Sequence, residues 1–151
     1  MINIIDYEDK YHDDFRKLNL YWLEKYNLLE THDVMVLDDP RATVINNGGY
    51  LFLAETDGKI IGTAGIMPEH DGEYELVKMT VSPEHQGKGI SKLLLEKCLE
   101  KAADINVKKV ILYSNSQLKT AIALYEKYGF RHVPAINTPF ETADIKMELQ
   151  F

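Results

Sequence analysis

Hydrophobic positions along this chain recur at two spacings, one near 3.6 residues and one near 2, and the switches between them mark out its elements. Ile2 to Ile5 predicts a short opening strand. From Asp9 to about Tyr26, Phe15, Leu18, Trp22 and Leu23 recur near helical spacing and predict one or two helices. Asp33 to Asn46 predicts another helix, interrupted near Pro40 and ended by Asn47-Gly48-Gly49. Tyr50 to Thr56 and Lys59 to Met67 read as strands joined at Asp57-Gly58, a hairpin signal. Glu73 to Val81 follows Asp71-Gly72 and completes an antiparallel meander. A helix from about Gly89 to Asp104 comes next, then a β-branched, apolar strand from Lys108 to Tyr113. Leu118 to Tyr128 predicts a second long helix with Gly129 at its C-terminal cap. Phe130 to Val133 and Thr142 to Leu149 are the last strands, with Pro134 to Phe140 an irregular loop between them. This order describes a mixed α/β sheet, and no repeat or low-complexity linker divides residues 1–151, so one domain is expected.

Composition narrows the picture by exclusion. Hydrophobic content of 45% and charged content of 27% are ordinary for a globular chain. A net charge of −7 argues against a nucleic-acid partner and tolerates a cationic one. The opening Met-Ile-Asn-Ile-Ile-Asp lacks the basic and long apolar regions of a signal peptide. No segment approaches the roughly 18 apolar residues of a membrane span. A cytoplasmic protein without membrane contact is therefore expected. The single cysteine, Cys98, lies on the apolar side of a predicted helix and reads as a buried thiol rather than a nucleophile. His12, His32, His70, His85 and His132 share no metal-ligand spacing, so no metal is expected.

The chemistry concentrates in Val81 to Ser91, a glycine-rich junction between a strand and a helix. Amides at such a junction point outward, the helix dipole adds partial positive charge, and glycines let phosphates approach the main chain. The run reads as a diphosphate cradle. A P-loop ending at Gly87-Lys88 would need Ser or Thr at Gly89, and a dinucleotide fingerprint from Gly87 meets Lys92 where its third glycine belongs. Gln86-Gly87-Lys88-Gly89-Ile90-Ser91 instead fits the acyl-CoA signature Gln/Arg-x-x-Gly-x-Gly/Ala, with Ser91 a small departure.

This run, with the preceding Tyr74 to Val81, resembles motif A of the GNAT superfamily of N-acetyltransferases. Ala121-Ile-Ala-Leu-Tyr-Glu-Lys-Tyr-Gly-Phe130 is similar to the family's motif B, in the right order and at the right separation. The resemblance covers roughly Tyr50 to Val133. It implies a mostly antiparallel sheet of about seven strands flanked by about four helices, splayed between the fourth and fifth strands. It also implies transfer of an acetyl group from acetyl-CoA to a primary amine of a small molecule or peptide, by direct attack in a ternary complex. Homodimers are common in the family.

The same resemblance assigns roles. The amides of Met79 or Thr80 would polarise the thioester carbonyl, and Val81 would hold the pantetheine arm. Gln86, Gly87, Lys88, Gly89, Ile90 and Ser91 would hold the diphosphate. Tyr125 stands where many members place a tyrosine that protonates the leaving sulfur, and a phenol is protonated at neutral pH. The other reading of Tyr125 is an aromatic packed beside Ala121 and Leu124. On an alternating strand Glu75 shares a face with Val77, Met79 and Val81, where an apolar residue would be expected. Partial desolvation would raise its pKa and make it a better base, with Glu73 in reserve; a surface ion pair or a bulge that shifts the phase is the other reading. Asn115 is a candidate contact to CoA or a turn former. His85 is expected beside CoA. Trp22, Tyr21 and Tyr26 either line an acceptor pocket or pack a helix face. Glu30, Asp33, Glu69 and Asp71 read as solvated acids. A non-catalytic acyl-CoA-binding regulatory module is the alternative function, and a domain unrelated to CoA a third.

Overall fold

The computed structural model describes residues 1–151 as seven strands in one mixed sheet, with five α-helices. The strands are β1 (Asn3–Asp6), β2 (Tyr50–Thr56), β3 (Lys59–Pro68), β4 (Glu73–Val81), β5 (Lys109–Ser114), β6 (Arg131–Val133) and β7 (Ile145–Gln150). They lie in the order β1-β2-β3-β4-β5-β7-β6, and β4 and β5 are the parallel pair. The helices are α1 (His12–Lys25), α2 (Thr31–Asp38), α3 (Pro40–Thr43), α4 (Ile90–Asp104) and α5 (Lys119–Lys127). The helix expected from Asp33 to Asn46 is thus two helices. Asp39 ends α2, and its side chain accepts from the Ala42 amide to cap α3, with Pro40 at the first helical position. The last strand starts at Ile145, not Thr142, because Thr142 is tied to the Glu30 carboxylate instead of a neighbouring strand.

The two sheet faces carry separate cores. On one face α4 presents Ile90, Leu94, Leu95, Cys98 and Ala102 at helical spacing against Phe52, Ile66, Leu76, Leu112 and Met147. Each fully buried leucine there contributes about 1.5–3 kcal/mol. Gly62 on β3 permits this approach: a Cβ at Gly62 would lie 2.9 Å from Leu94 Cδ1 and 3.1 Å from the Thr80 carbonyl oxygen. On the other face Phe15 of α1 and Val36 and Leu37 of α2 pack with Leu51, Leu53 and Val44. No helix is long and apolar enough to cross a membrane.

Two irregularities of β4 shape the molecule. Its parallel pairing with β5 covers only Glu73 to Glu75 against Lys109 to Ile111, and beyond that point the strands part. On its other edge Thr80 pairs with Thr63 and Val77 with Gly65, so Lys78 and Met79 together oppose Ala64 in a β-bulge. Lys78 sits in the left-handed region at φ 52°. Its carbonyl accepts from Thr63 Oγ1 at 2.6 Å, and Asn19 Nδ2 of α1 donates to that hydroxyl at 3.2 Å. A buried chain from α1 to β3 therefore holds the bulge in place.

The bulge corrects the expected phase of β4. Alternation over an unbroken strand would put Glu75, Met79 and Val81 on one face. One extra residue flips everything after it. Leu76 and Val81 both join the core under α4, and Met79 packs against it. Glu75 faces the other way, toward the α1–α2 side and Asp33.

Candidate active site

The parting of β4 and β5 opens a cleft of about 720 Å³ through the sheet. Leu76 to Val81 forms one wall, Leu112 to Asn115 the other, and the starts of α4 and α5 close one end. Ser82 N–H donates to Ile61 on β3, so alternation directs the main chain of Thr80 to β3 and that of Val81 to the open side. The Val81 carbonyl, facing the cleft, accepts from Gln86 Nε2 at 2.8 Å and Trp22 Nε1 at 2.7 Å. Of the two amides expected to face a thioester, Thr80 belongs to the ladder with β3 and Met79 to the unpaired bulge.

At the α4 end, Gly87 and Gly89 have φ of 74° and 76°, a region where a side chain is strained. A Cβ at either would meet nothing within 4 Å, so backbone conformation, not crowding, calls for glycine there. No side chain caps α4 and its first turn holds no acidic residue, which leaves its first amides and dipole uncompensated. Gln86, Gly87, Gly89, Ile90 and Ser91 line the cleft, with Lys92, Lys119 and Lys127 adding positive charge. Lys88 is exposed on the same loop. His85 also lines the cleft, with Nδ1 2.6 Å from Ser82 Oγ.

Tyr125 is both a packed aromatic and a cleft residue. Its ring packs on Phe130 at 5.8 Å between centroids, within the core under α4. Every wholly covered side-chain nitrogen or oxygen has a hydrogen-bond partner, and the Tyr125 hydroxyl has none, so that oxygen reaches the cleft surface. Burial, and then the neighbouring Cys98 thiol, push its pKa above the ordinary value for tyrosine, so it holds its proton firmly.

Glu75 is 6% exposed and lies on the opposite side of the cleft floor. Burial pushes its pKa up to about 8, reinforced by a hydrogen bond and like charge from Glu69, opposed by Lys78 and raised further by Asp33. Glu73 lies nearer the surface, where Lys109 bridges it at 3.8 Å and Glu148 at 3.2 Å.

Asn115 lines the cleft with its amide engaged. Its Nδ2 donates to the Thr142 carbonyl at 2.7 Å, and its Oδ1 accepts from the Gln117 N–H at 3.0 Å. Trp22 and Tyr26 stack at 6.0 Å and line the cleft, whereas Tyr21 is exposed.

Several residues that shape the site were not expected to. Asp33, read from sequence as a solvated acid, is buried and paired with the buried Lys78 ammonium. Glu30 ties α2 to the loop before β7: its carboxylate accepts from Glu141 N–H at 2.9 Å and from Thr142 N–H at 3.0 Å and Oγ1. Burial opposes the Glu30 charge, but these bonds outweigh it and hold its pKa below the ordinary range. That tie brings Phe140 over the cleft, where its ring meets His32 and Tyr113. The sequence signal for Lys78 was its place among apolar strand residues, the same signal that singled out Glu75.

The model of the acetyltransferase (GNAT) family matches residues 9–130. The chain belongs to the GNAT acetyltransferase family. An Escherichia coli protein, the uncharacterized N-acetyltransferase YjgM, is 35% identical over 100 residues, covering 64% of this chain and 60% of that protein. The matches to the most similar curated relatives span only about 30% to 60% of those relatives' lengths. A GNAT-family acetyltransferase from Staphylococcus aureus shares the fold with a TM-score of 0.91 at 23% identity, over 99% of both chains. The PaiA N-acetyltransferase of Thermoplasma acidophilum, solved in complex with coenzyme A, has a TM-score of 0.79 at 18% identity, over 100% of this chain and 99% of that one. GNAT neighbours thus hold CoA on this fold, and the splayed seven-stranded sheet is the one that the motifs implied.

Proposed function

We propose that residues 1–151 act as one acetyltransferase domain that moves the acetyl group of acetyl-CoA to a primary amine of a small molecule or peptide. The observation that carries this reading is the cleft itself. It joins an uncapped helix start with a glycine loop at one end to an unpaired strand edge, a protonated tyrosine and a buried carboxylate at the other.

In this reading the amides of Gln86 to Ser91 hold the diphosphate, with Lys92 and Lys119 lending charge. Val81 offers its N–H, and its carbonyl once the Trp22 indole yields it, to the pantetheine arm. Glu75 in its ionised form takes one proton from the acceptor's ammonium, directly or through a water, and the freed amine nitrogen attacks the thioester carbon. Charge gathers on the carbonyl oxygen, which the Met79 amide at the bulge stabilises. Collapse of the tetrahedral species breaks the C–S bond, Tyr125 gives the leaving sulfur its proton, and the second proton that the nitrogen loses as the amide forms restores the phenol by way of water. Asn115 acts by holding the cleft wall in shape.

Free-thiol release from acetyl-CoA, followed against pH with one good acceptor, tests the reading. The rate should climb toward about pH 8 as Glu75 ionises, and Glu75→Gln should flatten that limb while still binding acetyl-CoA. Parallel curves for the two proteins overturn the base assignment. Acetyl-CoA binding without thiol release to any amine would favour a regulatory CoA-binding module instead.

A further inference from the structure

The acceptor side of the cleft has a charge pattern that a simple cationic amine does not match. Asp33 is fully committed, with Oδ1 on the Lys78 ammonium and Oδ2 accepting the Glu30 N–H at 3.0 Å. Lys78 is not. Its side chain is only 9% exposed and lines the cleft, yet of its three N–H donors one meets Asp33. Its other neighbours are the face of the Phe140 ring, 5.8 Å from the nitrogen, which accepts no conventional hydrogen bond, and the Glu75 carboxyl, whose pKa its charge lowers without a hydrogen bond between them. The bulge is what aims this lysine at the acceptor side, since it turns Lys78 toward α2 while Met79 and Val81 go to the opposite core.

Building on the transferase reading, we propose that Lys78 binds an anionic group carried beside the acceptor's amine, so that the acceptor is a zwitterion of the α-amino acid type. The same cleft is lined by Trp22, Leu23, Leu28 and Phe140, which suit an apolar or aromatic side chain. Charge balance favours the same class. Lys78 and Asp33 cancel, and Glu75 is largely protonated at neutral pH. A zwitterion then enters without adding net charge, whereas a bare ammonium adds a buried charge next to a lysine. A carboxylate on Lys78 gains charge-assisted hydrogen bonds that an amide cannot match.

Phenylalanine and phenylalaninamide test this, because they share the side chain and differ at the group that Lys78 would read; the amide's amine is the less basic of the two, so their binding is compared at a pH where both amines are protonated. Calorimetry on the CoA-saturated protein should show phenylalanine binding at least tenfold tighter than the amide. Kinetics with acetyl-CoA should show kcat/KM favouring phenylalanine by a similar factor. Lys78→Met should collapse that ratio toward one, and Lys78→Arg should restore part of it; a merely structural lysine would change both acceptors alike. Equal or tighter binding of the amide, or binding of neither, overturns the proposal. The wild-type comparison decides this even if Lys78→Met fails to fold. Acetylation of the amide and of simple amines in preference to phenylalanine refutes the zwitterion and leaves the transferase intact. Absence of thiol release with every amine, despite selective binding of phenylalanine, refutes the transferase reading alone.

Discussion

Replacing Glu75 by glutamine should stabilise the protein in a way that depends steeply on pH. The folded protein holds the Glu75 proton up to about pH 8, whereas an ordinary glutamate in the unfolded chain loses it near 4.5. Unfolding therefore releases a proton between those values, and stability falls as pH rises through that window. Each pH unit inside it is worth 1.36 kcal/mol, so the full penalty is on the order of 4–5 kcal/mol. The cause is the loss of water around a carboxylate that is 6% exposed, with the Glu69 charge beside it and only partial relief from Lys78. Glutamine keeps nearly the same shape and carries no charge. Urea denaturation of both proteins should give similar stability near pH 4.5. The variant should then gain over wild type by roughly 1.4 kcal/mol per pH unit until about pH 8, where the gap levels off. A gap independent of pH would refute the reasoning, because it would mean that Glu75 ionises in the fold as easily as in water. The same substitution is expected to cost catalysis, which sets stability against activity at one residue.

Three further substitutions probe other parts of the site. Gly89→Glu should abolish acetyl-CoA binding by calorimetry, since it strains a φ of 76° and puts like charge at the start of α4; normal binding would place the diphosphate elsewhere. Tyr125→Phe keeps the ring against Phe130 and removes only the hydroxyl, so turnover should fall about 10²-fold with acetyl-CoA affinity little changed; unaltered turnover with chemistry rate-limiting would leave the proton to water. Thr63→Val leaves the Lys78 carbonyl without its donor and takes one of two acceptors from the buried Asn19 amide, which keeps the Phe15 carbonyl, and should cost about 1–3 kcal/mol in denaturant unfolding; a loss under about 0.5 kcal/mol would mean that the bulge is held by other contacts.

How far the sequence could be read depended on the range of the forces involved. Every strand and the two long helices of the second half were legible because their patterns are local. Leu94, Leu95 and Cys98 repeat at helical spacing, and Asp57-Gly58 marks its own turn. The strand-to-helix junction was legible for the same reason: Gln86 to Gly89 is one short loop whose glycines are required by its own φ angles, and α4 starts at Ile90. Asp33 was misread because its partner, Lys78, lies 45 residues away, and nothing local distinguishes a buried acid from a solvated one. Glu30 was misread likewise, its partners at Glu141 and Thr142 being more than 100 residues along the chain.

The bulge is the instructive case, because local reasoning could name it as an alternative but could not locate it. Left-handed backbone is signalled by Gly or Asn, and Lys78 is neither, so the extra residue left no mark in the sequence. What holds Lys78 in that conformation is tertiary: the hydroxyl of Thr63 on its carbonyl, Asn19 behind the hydroxyl, and Asp33 on its ammonium. The burial of Glu75 was nevertheless legible, because it precedes the bulge, and an acid in an apolar stretch is conspicuous in either phase. The same displacement separates the chemistry. Before the bulge β4 sends Glu75 to the α1–α2 side, by Asp33; after it, Met79 and Val81 pack on the core that holds Tyr125. An unbroken strand would have put the candidate base and the Met79 and Val81 side chains on one face, with no change of side between them. In the proposed reading Glu75 accepts a proton on one side of the sheet and Tyr125 of α5 donates one on the other, and the inserted residue turns Met79 and Val81 to the Tyr125 side, with the cleft passing between. That arrangement is what a reaction needing a proton removed from the attacking atom and supplied to the departing one requires.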